Sequence, residues 1–184
     1  MTTLPTLVVV SGPPATGKTT LAHAIAQAVG CPAICRDEIK EGMAHATPGF
    51  VGAPGDQLTV RTLPTFFGVL ELLLRAGVTT VAEAAFQDRL WRTGLAPLRS
   101  IARIRIVHCA VDAGVALQRM RRRCQENPLR RAHADPVLGD AAAHALSHNT
   151  FHRVRMDAPW IQVDTTDGYD PELDEVVAFV NDRD

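Results

Sequence analysis

The segment Gly12–Thr19, with the sequence GPPATGKT, fits the phosphate-binding pattern G-x-x-x-x-G-K-[ST] and follows the apolar run Leu7–Val10. A loop that wraps a polyphosphate turns its backbone N–H groups inward, so Gly12 and Gly17 stand where a side chain would obstruct or a positive φ is needed. The residues from Thr20 to Val29 then have helical periodicity and end at Gly30, which suits a C-terminal cap. This order of strand, loop and helix predicts a nucleoside triphosphate site at the positive end of a helix dipole.

The polar residues that end this loop have distinct predicted roles. Lys18 is expected to reach the β- and γ-phosphates, Thr19 to join a Mg²⁺ shell, and Thr20 to contact an α- or β-oxygen. Lys18 and Lys40 are the only lysines among 19 Lys and Arg residues, which indicates that a compact ammonium is needed where a planar guanidinium would not fit. The predicted nucleotide-binding residues here are Gly12, Pro13, Pro14, Ala15, Thr16, Gly17, Lys18, Thr19 and Thr20.

The length and charge of the chain narrow the class of protein. With 184 residues and a net charge of −1, the sequence predicts a single domain over residues 1–184. Near-neutrality argues against extended nucleic acid as the main partner, because such proteins usually carry a basic face. There is no apolar stretch of 18 residues and no C-x-x-C spacing among the four cysteines, so we expect buried thiols, no membrane partner and a cytoplasmic location.

Apolar strand candidates alternate with helical stretches along the chain, which predicts an α/β fold with a parallel sheet and helices on both faces. The strands are predicted at Leu7–Val10, Ala33–Cys35, Val78–Ala82, Ile101–Cys109 and Trp160–Val163, and further helices at Gln57–Arg75, Ala141–Arg155 and Pro171–Phe179. The turn-rich segment Thr47–Gly55 is expected to be a loop that covers a site.

Two acidic residues follow predicted strands, where ligands of open α/β sheets gather. Asp37, after the second strand and beside Arg36, is either a helix cap or a general base that accepts the proton of an acceptor hydroxyl. Glu83 ends the third strand and is predicted to hold Mg²⁺ through water or to orient the acceptor; a purely structural Glu83 would still need a partner.

An arginine-rich segment, Arg119–Asp135, begins as a predicted helix. Arg119 and Arg123 are four residues apart and share a helix face, and Arg130 and His133 lie beyond them, so the segment is expected to bring cations to a transferring phosphoryl group. Other candidates are less determined. Asp164 and Thr165 either border the nucleotide base or form a turn, and an acceptor pocket is predicted from Arg61 and from residues that are equally compatible with the core, namely Phe50, Val51, Phe66, Phe67 and Trp91.

On these motifs the chain resembles the AAA-type small P-loop kinases that include chloramphenicol phosphotransferase, zeta-toxin-type kinases and the kinase half of polynucleotide kinase. The likeness covers nearly the whole chain, but only the phosphate loop is highly specific. It implies a P-loop NTPase three-layer sandwich with strand order 2-3-1-4-5, ATP·Mg²⁺ as phosphoryl donor, Asp37 as the base and an arginine-rich helical lid over about residues 119–140.

The resulting first hypothesis is an ATP-dependent kinase that phosphorylates a hydroxyl of a small molecule such as an antibiotic, a nucleoside or a sugar. In it Lys18, Arg119, Arg123 and Arg130 act on the phosphates, while Arg36, Asp37, Arg61, Glu83 and His133 face the acceptor. Two alternatives stay open at this point: a polynucleotide or nucleoside 5′-hydroxyl kinase, and an ATP-binding regulatory NTPase with no acceptor. The sequence does not predict an oligomeric state.

Overall fold

A computed structural model describes residues 4–126, 132, 148 and 150–182. Within these residues, five strands form one parallel sheet in the spatial order β2-β3-β1-β4-β5. The strands are β1 (Thr6–Ser11), β2 (Ala33–Cys35), β3 (Thr80–Glu83), β4 (Arg103–Ala110) and β5 (Trp160–Asp164). The predicted fold class and strand order are confirmed.

The helices of the described residues are α1 (Lys18–Val29), α2 (Arg36–His45), α3 (Gln57–Arg75), α4 (Asp88–Leu95), α5 (Ala113–Glu126) and α6 (Leu173–Asn181), with a 3₁₀ helix over Ala96–Ser100. Gly30 ends α1 as predicted: its φ is 75° and its N–H donates to the carbonyl of Ala26. None of the helices in the described ranges is long and apolar enough to cross a membrane.

The central strand β1 shows why the sheet is covered on both faces. All its residues are buried, and successive side chains of a strand point to opposite faces. Leu7 and Val9 pack in one cluster with Phe66 of α3 and Trp91 of α4, whereas Val8 and Val10 pack in another with residues of α1 and α6. These two clusters lie on opposite faces of the sheet, so the molecule is a three-layer sandwich. The β1–α1 connection lies at the edge formed by the carboxyl ends of the strands.

One helix prediction is wrong in part. The helix predicted over Ala141–Arg155 does not extend over residues 151–155, which carry no helical structure. There Val154 is buried in the sheet–helix core, and the backbone N–H of Arg155 donates to Asp88 Oδ1 at 2.6 Å. Packing against the core and α4 therefore replaces helical hydrogen bonds. Residues 141–147 and 149 lie outside the described residues, as does most of the predicted lid.

Candidate functional site

The loop between β1 and α1 has the backbone conformation that its glycines predict. Gly12 and Gly17 have φ values of 151° and 76°, and Ala15 between them also has a positive φ, 63°. A side chain on Gly12 would collide with the carbonyl oxygen of Cys109 on the neighbouring strand β4. The loop thus lies directly against the sheet, with the first turn of α1 following it.

Lys18 lies within the loop rather than extending into solvent. Its side chain is buried, and its Nζ donates to the carbonyl of Pro13 at 2.8 Å. The same carbonyl also accepts a hydrogen bond from the Thr16 hydroxyl. Burial lowers the pKa of Lys18, while the nearby groups of Glu83, Cys109 and Asp37 act in the opposite direction. The ammonium is held at the loop, near the carboxylates of Glu83 and Asp37.

Glu83 and Thr19 form a pair of oxygen donors beside Lys18. Glu83 ends β3 opposite Val10 of β1, and its Oε2 accepts a hydrogen bond from the Thr19 hydroxyl at 3.1 Å. Burial raises the pKa of Glu83, Lys18 opposes this, and Asp37 raises it further. A buried carboxylate beside a hydroxyl fits the preference of Mg²⁺ for hard oxygen ligands, so these two residues are suited to hold that ion.

Asp37 lies in the first turn of α2, directly after β2. Its Oδ1 accepts from Arg36 at 2.9 Å, and its side chain is 43% exposed while that of Arg36 is 14% exposed. Cys35 of β2 is paired in register with Glu83 of β3, which brings the carboxyl ends of the two strands together. Asp37 acts electrostatically on both Lys18 and Glu83. The structure therefore gathers the predicted base, lysine and metal ligand at one edge of the sheet.

A second group of predicted residues lies on the other side of the loop. A cleft of about 530 Å³ is lined by the loop, by α5 and by the segment after β5, through Ala15, Gly17, Thr20, Arg119, Arg122, Arg123, Glu126, Thr165, Gly168 and Tyr169. Arg119 donates to the carbonyl of Thr165 at 2.6 Å, and the Thr165 hydroxyl donates to the carbonyl of Thr16 at 2.6 Å. These contacts join α5, β5 and the phosphate loop.

Asp164, the last residue of β5, and Thr165, which follows it, make different contacts. The carboxylate of Asp164 accepts from the backbone N–H of Thr166 at 2.7 Å, as in a turn, and these hydrogen bonds lower the pKa of Asp164. Thr165, and not Asp164, lines the cleft. The turn interpretation thus accounts for the contacts of Asp164.

A family model described as an AAA domain matches residues 7–157. The chain belongs to this AAA domain family. No curated protein matches it. Among solved structures, a candidate kinase from Chloroflexus aurantiacus j-10-fl is 22% identical with a TM-score of 0.85, covering 97% of both chains.

Two other solved structures share the fold of this AAA domain chain. A sugar kinase from Janibacter sp. HTCC2649 is 21% identical, with a TM-score of 0.64, over 97% of this chain and 95% of that one. The APS kinase CysC of Mycobacterium tuberculosis, solved with AMPPNP and APS, is 16% identical, with a TM-score of 0.57, over 97% and 99%. The fold is therefore that of the small P-loop kinases.

Part of the predicted acceptor pocket belongs to the core of this AAA domain chain. Phe66 and Trp91 are fully buried and make edge-to-face contacts in a cluster with Phe67 and Phe86, so they do not form pocket walls. Arg61 is exposed on α3. In the described part of the chain it is not one of the residues that form the hydrogen bonds around Lys18. Arg130 and His133 lie outside the described residues.

Sequence reasoning missed a buried ion pair beside the site. Lys40 Nζ and Asp56 Oδ2 are 2.8 Å apart, with side chains 3% and 8% exposed. Burial alone would raise the pKa of Asp56, but hydrogen bonds from Lys40, Thr59 and Ala53 hold it well below its usual value. The pair joins α2 to the start of α3 across the loop between them, which contains the segment Thr47–Gly55 that is predicted to cover a site. The scarcity of lysine was the available signal, because Lys40 is one of only two.

Proposed function

We propose that the chain is an ATP-dependent kinase that transfers the γ-phosphate to a hydroxyl group of a small molecule. The observation that carries this proposal is the position of Asp37, a carboxylate at the carboxyl end of β2 that acts electrostatically on Lys18 and Glu83. A switch that only binds nucleotide needs the phosphate loop and the metal ligands. A partly exposed carboxylate beside them is what an attacking hydroxyl requires.

The chemistry follows from the groups at this edge of the sheet. The inward N–H groups of the loop and the ammonium of Lys18 bind the β- and γ-phosphates. Asp37 accepts the proton of the acceptor hydroxyl as its oxygen forms a bond to the γ-phosphorus, and the bond from that phosphorus to the bridging oxygen of ADP breaks. When bound, Mg²⁺ neutralises charge on the phosphate oxygens, and Thr19 and Glu83 are the residues suited to hold it.

The cleft between the loop, α5 and the β5 segment is proposed to hold the nucleoside end of ATP. Arg119 donates three hydrogen bonds to Thr165 and Thr166, which engages its guanidinium on that side. We therefore assign Arg119 to positioning the nucleotide beside Gly17 and Thr20. Arg123 lines the same cleft, and we propose that it neutralises charge on the phosphates. We propose the same role for Arg130.

A small acceptor is supported by two observations. The chain is nearly neutral, which disfavours an extended polyanion, and the buried Lys40–Asp56 pair fixes one end of the loop that we propose to cover the acceptor. Of the similar structures, one is named a sugar kinase and one was solved with APS. We propose an acceptor of comparable size, with antibiotics, nucleosides and sugars as the classes to examine, and Arg36 and Arg61 as contacts to its polar groups.

The test is acceptor-stimulated ADP release, measured over a panel of antibiotics, nucleosides, sugars and 5′-hydroxyl oligonucleotides. With the acceptor found, Asp37→Asn is expected to lower kcat by about 10²-fold or more, as for loss of a general base, while the ATP dissociation constant stays within about threefold. Asp157→Asn, an exposed carboxylate in a different segment, is the matched control and keeps wild-type turnover.

Each alternative outcome is informative. Turnover by Asp37→Asn equal to wild type would remove Asp37 from the base role. Labelling confined to oligonucleotides, with affinity that falls steeply as salt rises, would identify a 5′-hydroxyl kinase. Slow ATP hydrolysis that no compound in the panel stimulates would favour a regulatory NTPase.

A further inference from the structure

We propose that His23, Cys35 and Glu38 form a binding site for a divalent transition metal ion of the Zn²⁺ class. Among the described residues, this is a group whose ligand atoms, an imidazole nitrogen, a thiol sulfur and a carboxylate oxygen, all lie within 4.8 Å of one another. The inference does not depend on the proposed kinase function. It concerns side chains that have no role in the donor site described above.

Three separate elements bring these ligands together. His23 is on α1, one helical turn after Thr19; Cys35 is the last residue of β2; and Glu38 is in the first turn of α2. The Cys35 side chain is buried, at 1% exposure, while those of His23 and Glu38 are 50% and 49% exposed. The Cys35 thiol therefore lies in the interior of the site. The other two ligands are in contact with solvent, from which an ion can enter.

The sulfur–nitrogen distance is close to that of a tetrahedral centre. Zinc–sulfur and zinc–nitrogen bonds of about 2.3 and 2.0 Å at the tetrahedral angle require the two ligand atoms to be about 3.5 Å apart. The Cys35 Sγ and His23 Nε2 atoms are 3.7 Å apart. His23 Nε2 and Glu38 Oε1 are 2.7 Å apart, so a small outward rotation of two half-exposed side chains would admit the ion. Water would take the fourth position.

The surroundings of the thiol favour a cation. Burial raises the pKa of Cys35, and the carboxylates of Glu83, Glu38 and Asp37 raise it further. Three nearby negative charges disfavour an isolated thiolate but stabilise a dication. On binding, the sulfur–hydrogen bond breaks, the proton passes to buffer, and a sulfur–metal bond forms, with no change of oxidation state.

Ligand type separates this site from the oxygen pair of Thr19 and Glu83. Thiolate and imidazole select Zn²⁺ and Co²⁺, whereas Mg²⁺ prefers carboxylate, hydroxyl and water. The two sites therefore take different ions. Excess Mg²⁺ is not expected to displace an ion from His23, Cys35 and Glu38.

Cobalt titration of the untagged full chain tests the proposal. Wild-type protein is expected to bind one Co²⁺ with a thiolate-to-cobalt charge-transfer absorption, which one equivalent of Zn²⁺ removes and millimolar Mg²⁺ does not. Cys35→Ser should abolish the absorption. Cys31→Ser is the matched control, since Cys31 is a free, partly buried cysteine outside the group, and should retain it.

A second variant keeps the test valid if Cys35→Ser does not fold. His23→Gln changes a half-exposed side chain and should weaken Zn²⁺ binding by about tenfold or more, the scale on which metal sites respond to loss of a supporting group. Absence of the charge-transfer absorption in the wild type would overturn the proposal. So would an absorption unchanged in Cys35→Ser, or Zn²⁺ affinity unchanged in His23→Gln.

Discussion

Gly12 is required by two independent features of its position. Its φ of 151° disfavours an L side chain, and an added Cβ would collide with the Cys109 carbonyl on β4. We expect Gly12→Ala to push the loop away from the sheet and to remove measurable ATP binding by calorimetry. Loss of stability should exceed the roughly 1–2 kcal/mol of a left-handed residue alone.

Gly30→Ala is the matched control for this substitution. Gly30 also has a positive φ, 75°, but no atom lies within 4 Å of where its Cβ would be. It should therefore show the backbone penalty, measured by urea unfolding, and bind ATP as the wild type does. Equal ATP affinity in both variants would show that the contact with Cys109 does not set the position of the loop.

Glu83 and Thr19 make the metal dependence of nucleotide binding testable. Glu83→Gln keeps the side-chain shape and an oxygen that accepts from Thr19, but it removes the charge of a buried carboxylate. ATP binding in EDTA should be as tight as in the wild type or tighter, because repulsion of the phosphates is reduced. The gain on adding Mg²⁺ should fall by about tenfold or more. An identical Mg²⁺ effect in both proteins would exclude Glu83 as a metal ligand.

At the scale of elements, the join between α2 and α3 depends on the Lys40–Asp56 pair. Asp56 is the N-cap of α3 and accepts from Thr59 at 2.7 Å while it also binds Lys40. Lys40→Met leaves a buried carboxylate without its cation and should lower the free energy of unfolding by about 3–5 kcal/mol.

The double variant Lys40→Met, Asp56→Asn isolates the charge. Asparagine keeps the capping oxygen and removes the uncompensated anion, so the double variant should be more stable than Lys40→Met alone in urea unfolding. A double variant whose loss equals the sum of the two single losses would show that the two side chains do not interact.

Elements with an unbroken local pattern were predictable, and those fixed by distant contacts were not. α3 was predicted with its observed bounds because its apolar periodicity is continuous from Gln57 to Arg75. The predicted helix failed over residues 151–155, where Val154 is recruited to the core and Arg155 to Asp88. Periodicity does not encode either contact.

At the scale of the whole molecule, the phosphate loop was predictable from a local pattern, whereas the contacts of the groups around it were not. The residues of the phosphate loop are contiguous in the chain, so their sequence predicts the strand, the turn and the helix together. The groups around it come from chain positions far apart: Glu83 reaches Thr19 across 64 residues, and Arg119 reaches Thr165 across 46. The position of Glu83 at a strand end and of Arg119 on a helix face was predictable from the sequence, but their partners were not.

The group of His23, Cys35 and Glu38 shows the limit of spacing arguments. Metal motifs are recognised from sequence when their ligands recur at short fixed intervals. Here the ligands come from α1, β2 and α2, and they meet only because parallel strands place α1 and the start of α2 side by side. The same applies to Phe66 and Trp91, whose burial depends on the packing of α3 against α4.

The pH dependence of global stability is expected to contain a contribution from one partly buried histidine, His108. Burial, together with the smaller effects of Arg153 and Lys18, lowers the pKa of His108 from its ordinary 6.5 to about 4. The folded chain therefore keeps His108 neutral while the unfolded chain takes up a proton. Its contribution is fully present above pH 6.5 and is lost as pH falls towards 4, by an amount on the order of 2 kcal/mol.

His108→Phe should remove this part of the pH dependence. The ring of His108 stacks on Phe151 with centroids 6.2 Å apart, and no described residue hydrogen-bonds its buried Nδ1, so phenylalanine preserves the contact without a titrating group. Carboxylate effects are common to both proteins and cancel in the difference between their free energies of unfolding. That difference, measured by urea unfolding from pH 7.5 to 4, should shift in favour of the variant as pH falls, and parallel profiles would show that His108 is not buried as a neutral group.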